Sequence, residues 1–209
     1  MADLIPVAFR KQGAPQLATY DFYDLATGTG YKNFYGCQLV KETSSVYVLV
    51  TNTEIKTNAQ QGATYTSGFI DLDFDLTFQV PTVVKGVATA TIPFGYVSAG
   101  YTGTLGAQLY KVVNGVESQL DKSASYVSTW SAVGTGEGDI FAPTFTLPQT
   151  IFHPGEKLRL SVQIPDMGVQ WVYHDPSNRI ALGYNGDTLN AYSALGTRLV
   201  LNLPIKIAK

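Results

Sequence analysis

The chain has 209 residues, a formal net charge of −2 and 14% charged residues, against roughly 25% in an ordinary soluble domain. With 45% apolar residues it is not a disordered polyelectrolyte, and without net positive charge it is not an electrostatic binder of nucleic acid. Abundant Thr and Val, with 13 Tyr and 20 Gly, exclude a helical bundle or coiled coil and favour strands joined by turns.

Residues 1–18 carry Pro6 and Pro15 and one short apolar cluster, and are expected to form an extended N-terminal arm. Residues 19–68 begin with an aromatic, Gly-rich stretch (19–36). Two short strand patterns follow, 37–41 and 46–51, and then a polar run. This segment either forms its own unit or adds strands to a main domain at 69–209, with a boundary near Ser67-Gly68. The strongest local signal is 69–80, where Ile70, Leu72, Phe74, Leu76, Phe78 and Val80 alternate with Asp71, Asp73, Asp75, Thr77 and Gln79. Period two sends the two sets to opposite faces of a strand, whereas a helix would scatter both. Such a strand needs a second sheet over its apolar face.

Beyond Pro81, residues 83–92 read as another strand, and Gly-rich 95–106 as a loop. Residues 105–113 and 116–120 flank Asn114-Gly115, the preferred pair for a type I′ hairpin turn. Shorter candidates are 125–130, 169–173 and 179–184, with a loop at 133–138. Residues 140–147 are expected to pair antiparallel with 157–164, across a turn at His153-Pro154-Gly155-Glu156. The last strand, 197–207, places Leu199, Leu201, Leu203, Ile205 and Ile207 on one face. Pro204 sits on the other and predicts an edge strand or a bulge. About eight to ten strands after Phe69, and no helical period, predict an all-β, jelly-roll-like two-sheet sandwich rather than an immunoglobulin-type one.

Catalytic motifs are absent: no Gly-x-Ser-x-Gly elbow, no phosphate-binding Gly-Lys loop, no His-Glu-x-x-His. Two histidines and one cysteine do not make a four-ligand zinc site. His174-Asp175 precedes Pro176-Ser177-Asn178 and reads as a turn. Cys37 has no disulfide partner and reads as a small, half-buried apolar residue. Asp71, Asp73 and Asp75 repeat at about 7 Å, too widely for all three to hold one calcium ion, and read as a solvated outer face. No enzyme activity, cofactor or metal is expected. The N-terminus lacks the apolar block of a secretory signal and no run approaches a membrane span, so neither export nor membrane insertion is expected. Tyr20, Phe22, Tyr23, Tyr31, Phe34 and Tyr35 are candidate subunit-contact anchors, because such side chains bury large areas at interfaces. Trp130, Trp171 and Tyr173 are candidates for a ligand-stacking platform.

Thr19 to Gly36, TYDFYDLATGTGYKNFYG, resembles a segment of uncharacterised virion proteins of tailed phages and related environmental viruses. Phe152 to Leu160, FHPGEKLRL, resembles a turn and strand of many jelly-roll domains, those of virions and of hydrolase accessory domains among them. The resemblance implies a non-enzymatic virion structural protein assembled in the host cytoplasm: a capsid-associated decoration (cement) protein, a minor capsid component or a fibre base. Its implied partners are other virion proteins and copies of itself, as a homo-oligomer for which a trimer is the natural symmetry. The alternative is a carbohydrate- or receptor-binding module of a tail or fibre.

Overall fold

The computed structural model describes residues 29–41, 44–51, 63–65, 70–96, 102–129, 138–166, 169–173 and 199–206. Among these, every regular element is a strand: β1 (Thr29–Lys41), β2 (Ser44–Val50), β3 (Ala63–Tyr65), β4 (Ile70–Thr77), β5 (Thr82–Tyr96), β6 (Thr102–Val113), β7 (Val116–Lys122), β8 (Tyr126–Thr129), β9 (Gly138–Phe141), β10 (Thr144–Phe152), β11 (Lys157–Ile164), β12 (Val169–Tyr173) and β13 (Val200–Lys206). Alternation in sequence becomes alternation in burial. Leu72, Phe74 and Leu76 of β4 and Leu158, Leu160, Val162 and Ile164 of β11 are buried, while Asp71 and Thr77 face water.

The hydrogen-bonded order is β3-β12-β5-β13-β1-β2-β4-β11-β6-β7, with β9 and β10 on the other side of β5 and β8 continuing β7 along β6. This ribbon folds over itself. The layer β10-β5-β13-β1 lies against the layer β4-β11-β6-β7, and one core fills the space between them. Phe34, Val84, Ile92, Phe145 and Leu201 come from the first layer, and Phe74, Leu105, Leu109 and Leu160 from the second. Phe78, just beyond β4, meets Phe152 of β10 with ring centroids 4.5 Å apart. The molecule is an all-β sandwich, nearly closed into a barrel. From β4 to β5, β5 to β6 and β10 to β11 the chain crosses between layers, as a jelly roll does.

Long β5 is the spine of the first layer, because it pairs with β10 and β13 along its first part and with β9 and β12 along its last. In the second layer β11 is central, bonded along its length to β4 on one side and β6 on the other. The layers meet at one rim through β1-β2, where a single parallel bridge, Val48 to Asp75, ties β2 to β4. β1 and β2 thus belong to the same sheet as the strands after residue 69.

Several local expectations appear as drawn. Asn114 and Gly115 take φ of 52° and 80° and close the β6-β7 hairpin. Pro204 lies in a strand paired on both sides and not at an edge; it pairs unbroken with Tyr31 of β1, while the register shift beside it, between Asn202 and Ile205, puts the extra residues on β5. Others need correction. Residues 140–147 do not pair with 157–164; β10 pairs with β5, and β11 with β4 and β6. The reason lies in the turn between them. The Phe78 N–H donates to the Glu156 carbonyl and the Gly155 N–H to the Phe78 carbonyl. The turn is thereby tied to the end of β4, and the chain passes from one layer to the other instead of doubling back. Residues 102–106, expected as loop, begin β6. Val80 is exposed because β4 ends at Thr77 and Phe78 is the last side chain of the inward set. Residues 1–28 and 179–184 lie outside the described residues.

Candidate functional site

The sandwich has two outer faces with different chemistry. On the β4-β11-β6-β7 face, antiparallel register sets Asp75 opposite Arg159 and Asp73 opposite Ser161. Because both strands alternate with period two, acids on one strand and bases on the other share a face. Arg159 sits at the centre. Its Nε donates to Asp75 Oδ1 at 2.7 Å and its Nη2 to Asp75 Oδ2 at 3.0 Å, a two-point fork. Its Nη1 donates to Asp73 Oδ2 at 2.9 Å and to Glu117 Oε1 of β7 at 2.6 Å. Lys157 Nζ adds a bond to Asp75 Oδ2 at 2.9 Å.

Burial alone would push the Asp75 carboxyl up, but the hydrogen bonds from Arg159 and Lys157 overcome it and hold that carboxyl below the ordinary range. Reciprocally, hydrogen bonding to Asp75 outweighs burial and locks Arg159 in its charged form. The far end of the face is acid-rich. Asp71 is pushed up by desolvation and by the nearby charges of Asp73 and Glu117. Tyr110 is pushed up by burial and by Glu117, Asp71 and Asp73. Beside them the Gln108 amide donates to Gln163 Oε1 at 2.7 Å, and the Tyr110 hydroxyl donates to Gln108 Oε1. This is an electrostatic tie across three strands. It joins no nucleophile to a base, and among the described residues no group of three or more His, Cys, Asp or Glu is placed to hold a metal ion.

The opposite face, on β1-β13-β5-β10, carries Tyr31, Asn33 and Tyr35, then Val200 and Asn202, then Val87, Thr89 and Thr91, then Thr144 and Thr146. Asn202 Nδ2 donates to Asn33 Oδ1 at 2.7 Å. Among the described residues its charged side chains are Lys85 and, at the end of β13, Lys206. Tyr31 is 45% exposed and Val87 47%.

The six subunit-contact candidates divide. Tyr31 is exposed on the low-charge face and Tyr35 is half-buried there. Phe34 is corrected: at 3% exposure it points the other way, into the core, because period two separates it from Tyr31 and Tyr35. Tyr20, Phe22 and Tyr23 lie outside the described residues. Of the stacking candidates, Trp171 and Tyr173 lie on β12, in register with Tyr65 and Ala63, while Trp130 lies outside the described residues. Cys37 is buried within β1, more deeply than expected, and His153 is exposed in the β10-β11 turn. Arg159 was not singled out from the sequence. The signal was there in KLRLSVQI, whose Lys157 and Arg159 alternate with apolar residues as Asp73 and Asp75 do.

No protein-family model and no curated protein matches the chain. Its fold is similar to part of a CocE/NonD family hydrolase from Staphylococcus aureus. One structure of that hydrolase aligns at TM-score 0.55 and 14% identity over 86% of this chain and 37% of the hydrolase. Another aligns at TM-score 0.52 and 14% identity over 85% of this chain and 37% of the hydrolase. A structure of infectious bursal disease virus aligns at TM-score 0.22 and 12% identity over 81% of this chain and 42% of the viral one, too low to carry an argument. The chain therefore spans just over a third of the hydrolase's length, and the likeness is one of fold.

Proposed function

We propose that this chain is a non-enzymatic structural protein of a phage particle, a capsid-associated decoration or minor capsid component that works through contacts between subunits. The observation that carries the proposal is the segregation of charge. One outer face ties its charges together around Arg159, while the other presents Tyr31, Tyr35, Val87 and threonines with almost no charge. A face of that kind loses little solvation when another subunit covers it, and aromatic side chains supply area at low entropic cost. The resemblance of residues 19–36 to virion proteins supports the same reading, and that stretch runs into β1, which bears Tyr31 and Tyr35.

The test is mass spectrometry of phage particles purified from a lysate in which the gene is expressed. The protein is expected in the particles at a fixed stoichiometry to the capsid shell. Its absence from them would overturn the proposal. It would favour instead a hydrolase accessory domain, a reading supported by the fold likeness over most of this chain.

A further inference from the structure

The two layers approach each other at a second rim, where β7 runs beside β10 without any ladder pairing among the described residues. Among the described residues β10 thus has one edge bonded to β5 and one edge that no strand fills. The orientation of that second edge follows from the first. The Ala90 N–H donates to the Pro143 carbonyl, and Phe145 and Leu147 stand opposite Ala88 and Gly86. Odd-numbered positions up to Leu147 therefore turn their backbone groups toward β5, and even-numbered ones turn theirs away.

Three of the outward-turned groups are closed by side chains, and a fourth position lacks a donor. The Thr146 N–H donates to Asp121 Oδ2 of β7 at 2.5 Å, and Asp121 Oδ1 is fixed by the Lys122 N–H at 2.9 Å. Position 148 is a proline and has no N–H. Its carbonyl accepts from Thr150 Oγ1 at 3.0 Å. Past the register shift, the Ile151 carbonyl accepts from Lys111 Nζ at 2.7 Å. Lys111 is itself held by Glu156 at 2.7 Å and lies over the Phe152 ring at 5.4 Å. Unfilled strand edges are templates for pairing with another chain, and charged side chains and proline are what blunts them.

We propose that Asp121 and Lys111, with Pro148 and Thr150, form a clasp that keeps the outer edge of β10 from pairing antiparallel with the β10 edge of a second copy. The two edges would meet about Thr146, a residue whose own side chain is exposed. Contacts between copies are thereby directed to the faces of the sandwich and not to this rim.

Thr146→Cys provides the readout, since antiparallel pairing centred there brings two such cysteines together. Oxidative cross-linking is compared in Thr146→Cys alone and in the same chain with Asp121→Ala and Lys111→Met, each shown to be folded by circular dichroism and thermal unfolding. The disulfide-linked dimer is expected to rise about tenfold when the clasp is removed, the factor one charge-assisted hydrogen bond implies. Equal yields in the two folded proteins would overturn the proposal, as would efficient cross-linking with the clasp intact. Should the combined variant not fold, Asp121→Ala and Lys111→Met taken singly remove half of the clasp each and carry the same comparison.

Discussion

Arg159 serves three carboxylates at once, and its loss would leave Asp73 and Glu117 without their shared cation and Asp75 with Lys157 alone. Asp75 is the most enclosed of the three, with 11% of its side chain exposed. Removing one partner from such a group costs more than the pair itself contributes, since a desolvated charge is stranded. Arg159→Met is therefore expected to lower unfolding free energy by about 2 kcal/mol near neutral pH, below the fully buried case because Lys157 stays on Asp75 and because Asp73 and Glu117 keep contact with water. The pH dependence has a definite sign. Asp75 has a depressed folded-state value, so its stabilisation is full above the ordinary carboxylate range and fades as pH falls through the folded value. Asp71 is raised, so its charge costs stability at neutral pH and protonation relieves that cost. The penalty of Arg159→Met should accordingly shrink below about pH 4. Urea unfolding at neutral and acidic pH measures this, and a penalty independent of pH would show that Arg159 acts through packing. At this scale the sequence was half legible. The stripe Asp71, Asp73, Asp75 was visible, but its neutralisation was not, because Arg159 lies 84 positions beyond Asp75 and only the pairing of β4 with β11 unites them.

Single strands were readable wherever burial is one-sided, and their partners were not. β4 and β11 announce themselves by period two, and Asn114-Gly115 announces its hairpin because the turn itself sets the register. The wrong pairing of 140–147 with 157–164 came from treating the Pro154-Gly155 turn as a hairpin, when its backbone is bonded to Phe78 and carries the chain between layers. Bulges were likewise only partly legible: Pro204 signalled a register shift, but its extra residues lie on β5 around Gly86, and the shift in β10 on the other side of that glycine follows Leu147. Gly86 has φ of 121°, and a Cβ there would stand 3.6 Å from the Pro204 ring. It lies beside register shifts in both of its strand's partners. Two bulges thus nest at one place on the spine of the first layer, and the backbone there requires glycine more than the space does. Gly86→Ala is expected to cost about 1–3 kcal/mol through strained backbone. Gly115→Ala, at an exposed turn with nothing within 4 Å, should cost about 1 kcal/mol. Chemical unfolding of both variants checks the order. A larger loss at Gly115 would mean that the β6-β7 hairpin, and not the nested bulge, is the more constrained element.

For the whole molecule the question is how evenly its strands are held. Sheet closure distributes the ladders unequally, and local opening follows the number of bonds that must break together. β11 has a partner along its length on both sides, and its Leu158, Leu160 and Val162 have no exposure at all. Among the described residues β2 is paired fully with β1 alone, and its link to β4 is the one bridge at Val48. The first rim is therefore the weak line of the nearly closed barrel, while the second is fastened by the side chains of Asp121 and Lys111. Nothing in the composition shows this difference, because residues 46–50 are as β-prone as residues 158–162; it arises from where each strand falls in the order of the sheet. Amide hydrogen exchange followed by mass spectrometry should find β11 exchanging last, at a rate set by global unfolding. β2 should exchange through a smaller opening that separates it from β4 while β11 stays protected. Adding mild denaturant should bring the two rates together, since global unfolding then becomes the cheaper route for both. Equal protection of β2 and β11 without denaturant would mean that the single bridge at Val48 is backed by packing strong enough to make the barrel open as one unit.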